Sequence, residues 1–82
     1  MSTVGLIKNI DKLHTTELGM VRIKRNLCLI DVDVVIWCKD KILQHNSKII
    51  RKGKNWYVTI DNIILTINAH SYTIITAHAI KT

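Results

Sequence analysis

Four cationic side chains, Lys48, Arg51, Lys52 and Lys54, fall within seven residues, and Trp56 and Tyr57 follow directly. At a β-turn such cations hold phosphates while aromatic faces stack on bases. Arg51, Lys52, Lys54, Tyr57 and the more distant Tyr72 are therefore the candidate nucleic-acid contacts. The plainer alternative is a solvated basic hairpin that keeps a sheet edge from aggregating.

Histidine supplies the other chemistry. His70 and His78 are eight residues apart, about 26 Å along a straight strand, too far to share a site within one strand. A four-stranded meander would put the 51–54 turn, Asn68, His70 and Tyr72 at one end of the sheet, and Asp61, Asn62 and His78 at the other. His70 beside the cations is thus the candidate general acid or base, with Lys or Arg facing a pentavalent phosphate. Together they suit metal-independent RNA cleavage that uses the substrate's own 2′-hydroxyl. A surface loop histidine is the competing reading. His14, just before Thr15 and Thr16, either flanks or caps a helix or approaches the sheet face. His78 has the lesser standing of a polar group near the C-terminal edge.

Neither phosphate-binding glycine loops nor a nucleophile elbow occurs in the sequence. One Glu and five Asp supply glycosidase or two-metal chemistry poorly. The histidines lack zinc spacing, and Cys28 and Cys38 both sit in apolar helical patterns as small hydrophobes. No cofactor and no metal is expected.

With 82 residues, 48% of them hydrophobic and none proline, the expectation is a single folded domain over residues 1–82. Twelve Lys+Arg against six Asp+Glu give a formal charge of +6, which favours nucleic acid or an acidic protein as partner. Residues 1–47 carry seven basic and five acidic groups, while residues 48–82 carry five basic groups and Asp61 alone. The two cysteines, the lack of a signal-peptide layout and the lack of a membrane-length apolar run point to the cytoplasm.

The elements that must position these residues divide at about residue 47. Val4, Leu6, Ile7 and Ile10 predict a short helix behind a Ser2 or Thr3 cap. Thr15 or Thr16 caps a helix over about 16–27, with Leu18, Val21 and Leu27 inward and Arg22, Lys24 and Arg25 toward water. Asp31 caps a third over about 32–45, with Val32, Val35, Ile36, Ile42 and Leu43 at core spacing.

Beyond 47 the period becomes that of strands. Residues 48–51 precede the turn Lys52-Gly53-Lys54-Asn55, residues 56–60 alternate, and Asp61-Asn62 forms a two-residue hairpin loop before 63–68 and 72–80. That loop pairs Ile60 with Ile63, Val58 with Leu65 and Trp56 with Ile67 on one face, and Tyr57 with Thr66 and Asn55 with Asn68 on the other. The apolar face covers the helices, giving an α+β domain with two to three N-terminal helices packed on a four-stranded antiparallel meander. In the last strand, a three-residue connection Ala69-His70-Ser71 puts Thr73, Ile75 and Ala77 on the core face and Tyr72, Thr76 and His78 on the polar one. A one-residue slip reverses this, and the first register is preferred because it keeps the polar groups together.

The segments 10–19, 22–27, 52–58 and 68–78 together resemble an uncharacterised family of short bacterial and archaeal proteins, a domain of unknown function. A more distant likeness is to the barnase/EndoU/colicin/RelE-like ribonuclease toxins, whose helices precede a four-stranded sheet. The Ile74-Ile75-Thr76-Ala77-His78 segment is similar to the closing strand of related phage-associated groups. That likeness implies RNA cleavage by His, Arg, Lys or Thr on the sheet face, with Thr76 and His78 as further candidates. The leading expectation is a small basic RNA-binding protein of toxin-type endoribonuclease character. Its rivals are a non-catalytic inhibitor that covers a partner's nucleic-acid or acidic surface, and a homodimer paired through a strand edge.

Overall fold

The computed structural model describes residues 2–80, with side chains from Gly5 onward. Helix α1 (Ser2–Lys8) and a 3₁₀ turn (Ile10–Lys12) lead to α2 (Glu17–Leu27) and α3 (Val34–Leu43). Strands β1 (Lys48–Lys52), β2 (Asn55–Ile60), β3 (Ile63–Asn68) and β4 (Ile74–Ala79) then form one antiparallel sheet in the order β1-β2-β3-β4. The α+β architecture is the expected one. The Ser2 or Thr3 cap and Val4 lie outside the described side chains.

Local turn chemistry fixes the sheet. Asp61 (φ 49°) and Asn62 (φ 65°) both take the left-handed conformation that a two-residue hairpin needs. Ile60 therefore faces Ile63, Val58 faces Leu65 and Trp56 faces Ile67, and the alternate residues pair Tyr57 with Thr66 and Asn55 with Asn68. At the other hairpin Gly53 (φ 60°) lets the chain reverse between Lys52 and Asn55.

Strand β4 departs from simple alternation. Ile67 pairs with Ile74 but Thr66 with Thr76, so Ile75 is an extra, bulged residue. Below it the expectation holds: Ala77 is buried, while Thr76 and His78 lie opposite Thr66 and Ile64. Above it the phase reverses. Ile74, 1% exposed, takes the core place expected of Thr73 and Ile75, and Ile75 is 43% exposed. Tyr72 leaves the polar face and packs its ring on Trp56, with centroids 5.4 Å apart. The strand itself begins at 74 rather than 72.

The apolar face of the sheet and the helices share one core containing Leu6, Leu13, Ile23, Val34, Cys38, Ile42, Trp56, Val58, Leu65, Ile67 and Ile74. Burial pushes the Cys38 thiol up to about 12, so it stays a protonated packing group. Thr16 caps α2 by accepting from the Gly19 N–H at 2.9 Å. The inward residues of α2 are not the expected Leu18 and Val21, which are 58% and 51% exposed, but Gly19 and Ile23, with Leu27 half-buried. The helix lies against the free edge of β4, and its polar groups occupy that edge's carbonyls. Thr15 Oγ1 donates to Ile74 O (2.9 Å) and Asn26 Nδ2 to Ala77 O (3.2 Å). A side chain at Gly19 would collide with Thr15 Oγ1, so glycine there makes room for the Thr15 hydroxyl that bonds Ile74 O.

Helix α3 is capped by Asp33, whose Oδ1 accepts from Ile36 N at 3.1 Å, and not by Asp31, which takes φ 57° in the preceding loop. The helix buries Val34, Cys38 and the expected Ile42, while Val32, Ile36 and Leu43 are exposed and Val35 is half-buried. Cys28 is likewise not core: it is the exposed left-handed C-cap of α2, its N–H donating to Lys24 O. Thr16→Ala removes the α2 cap and should cost about 1 kcal/mol. The check is urea unfolding, where the midpoint should fall with the slope unchanged.

Candidate nucleic-acid interface

Strand alternation carries Lys48, Ile50 and Lys52 of β1, Asn55, Tyr57 and Thr59 of β2, Ile64, Thr66 and Asn68 of β3, and Thr76 and His78 of β4 to the face opposite the helices. No described element covers this face. Ile50, Lys52, Tyr57, Thr59 and Ile64 line a shallow depression of about 500 Å³ in it. Tyr57 is half-buried there, with its hydroxyl 3.5 Å from Asn55 Nδ2. A half-exposed aromatic ring flanked along β1 by two exposed ammonium groups can stack a base and hold its phosphates.

The top of the face is a hydrogen-bonded rim. Ala69 N donates to Lys54 O at 2.8 Å, so the basic turn and the 69–72 loop adjoin. Asn68 Oδ1 organises that loop by accepting from His70 N and Ser71 N (both 2.9 Å), with Ser71 Oγ 3.2 Å away and its proton directed to Thr73 Oγ1. Ser71 Oγ lies 2.8 Å from Thr73 Oγ1, which lies 3.1 Å from His14 Nε2. The segment at His14 is held there by the backbone: His14 N donates to Tyr72 O (3.2 Å) and Ile74 N to His14 O (2.7 Å), a parallel bridge beside Thr73.

His14 Nδ1 is 2.9 Å from Lys12 O. A carbonyl only accepts, so Nδ1 carries the proton, and in the neutral ring Nε2 is a lone-pair acceptor that receives the Thr73 hydroxyl. Lys12 Nζ lies 5.5 Å from the centroid of the Tyr72 ring at the same corner.

The structure thus gathers some of the expected residues and parts others. His70 shares the rim with Lys54, as the meander required, and its side chain is exposed. It lines neither the depression nor a second recess of about 450 Å³ formed by Ile7, Ile42, Leu43, Gln44, His45, Ser47, Lys48 and Ile49. Lys52 and Tyr57 are on the open face. Arg51 points to the helix side, its Nε donating to Gly53 O (3.0 Å) and its guanidinium 5.6 Å from the Trp56 ring centroid. Tyr72, against Trp56, cannot join Tyr57 in one stacking platform. Thr76 and His78 occupy the open face, His78 beside Ile64 toward the far end. Lys48 and His14, both named from the sequence, are joined by the additions Ile50, Thr73 and Ser71. Alternation through β1 could have found Ile50; the Thr73–His14 contact joins residues 59 apart.

Among the described residues no helix is long and apolar enough to cross a membrane. The sequence model of a family described as a protein of unknown function, DUF3781, matches residues 7–78. No curated protein and no solved structure matches the chain.

Proposed function

We propose, for a chain that belongs to the DUF3781 family of proteins of unknown function, that it binds single-stranded RNA on its uncovered sheet face. The observation that carries this reading is the half-buried Tyr57 in a shallow depression of that face, with Lys52 on its lining and Lys48 on the same strand face. Bases stack on the phenol, and Lys48, Lys52 and the adjoining Lys54 take the phosphates. Bases in an A-form duplex are stacked inside the helix and offer no free face to a phenol, so an unpaired strand is the suitable ligand.

Fluorescence anisotropy with a labelled single-stranded RNA tests this. Tyr57→Ala should weaken binding by about 1–3 kcal/mol, the worth of one stacked base. Wild-type protein that shows no salt-dependent binding, or a Tyr57→Ala variant that binds as tightly as wild type, would dispose of the proposal.

A further inference from the structure

We infer, resting on the RNA-binding reading, that His14 is the general base of an RNA-cleaving site at the top of the open face. Its geometry is that of a poised acceptor. The Lys12 carbonyl holds Nδ1–H at 2.9 Å and so fixes the tautomer, while Nε2 faces a hydroxyl at 3.1 Å. The ring is exposed and its backbone is locked to β4 from both sides, which supplies access and rigidity together. The hydroxyl it faces belongs to an element that continues the RNA-binding face: Thr73 leads through Ser71 to Asn68, and Asn68 pairs with Asn55 beside Tyr57. An RNA strand stacked on Tyr57 and followed past Asn68 and Ser71 to the rim brings a ribose to this corner.

There the ribose 2′-hydroxyl replaces Thr73 Oγ1 as the donor to Nε2. Its proton passes to Nε2, the O2′–P bond forms, and the P–O5′ bond breaks. O5′ takes a proton from water, and the imidazolium returns its own to the hydroxide left behind. The products are a 2′,3′-cyclic phosphate and a 5′-hydroxyl. Thr73 holds the ring in place between turnovers.

Full-length protein is incubated with end-labelled single-stranded RNA in EDTA, and binding is measured separately on an all-2′-O-methyl strand that lacks the nucleophile. The expected result is fragments ending in 2′,3′-cyclic phosphate, with His14→Ala slower by roughly 10²–10⁴-fold. Binding of the 2′-O-methyl strand should be unchanged, and added imidazole should restore part of the rate. His14→Asn, with circular dichroism on both variants, separates lost chemistry from lost folding. Wild type that binds the 2′-O-methyl strand but leaves RNA intact overturns the cleavage inference and spares the binding reading. So does a folded His14 variant that cleaves at the wild-type rate. Failure to bind the 2′-O-methyl strand overturns both.

Discussion

Leu65→Ala should lower the free energy of unfolding by about 2–5 kcal/mol, enough to leave this small domain barely folded. Leu65 is fully buried in β3, one of the two inner strands of the sheet, where its Cα partners are Val58 on one side and Ala77 on the other, both fully buried themselves. Ala77 is too small to fill the space, and Val58 and Ile67 are held by pairing on the same pleat, so the cavity stays open rather than collapsing. In a domain of this size each kcal/mol moves the melting temperature by about 4–8 °C, so the loss is measurable by thermal circular dichroism. A shift below about 5 °C would mean that the core repacks around the gap and that β3 is not its rigid centre.

How legible the fold was depended on whether the governing interaction was local. The β2–β3 register could be read because Asp61-Asn62 alone decides the hairpin, and every pair follows from it. The phases of α2 and α3 could not, because apolar content misled. Leu18, Val21 and Ile36 look like core residues, yet α2 turns Gly19 and Ile23 inward, and Asn26 and Thr15 take carbonyls that would otherwise be an open edge. In α3 the buried line runs Val34, Cys38, Ile42, so Ile42 is legible while Ile36 and Leu43, equally apolar, lie beside that line and face out. The bulge at Ile75 is equally silent in sequence, since either phase of 72–80 offers apolar residues to the core.

The site divides along the same line. Lys54 and His70 share a rim because the topology of a meander puts them there. His14 enters by a parallel bridge to Thr73, an element outside the strand pattern. The bridge decides between the two places the sequence left open for it, a helix flank and the sheet face, and engages both its ring nitrogens. Arg51 and Tyr72 go the other way. Strand parity turns Arg51 under the sheet, and the bulge turns Tyr72 onto Trp56.

Lys48→Ala combined with Lys52→Ala should flatten the salt dependence of RNA binding while leaving the fold intact. Both lysines are exposed on β1, and neither takes part in the Lys41–Asp61 ion pair that ties α3 to the β2–β3 hairpin, so removing them sheds charge without unpairing a partner. Each phosphate contact to a single strand contributes about 0.7 to the slope of log affinity against log salt, so the double variant should lose about 1.4. Carried from about 1 M down to about 50 mM salt, the same slope makes the loss about eightfold per lysine and roughly 65-fold for the pair. Tyr57→Ala should weaken binding without touching the slope, because a stacked ring releases no counterions. The two variants therefore separate the cationic and aromatic halves of one face. A double lysine variant with the wild-type slope would place the bound strand elsewhere, on the Arg51 side or beyond the sheet.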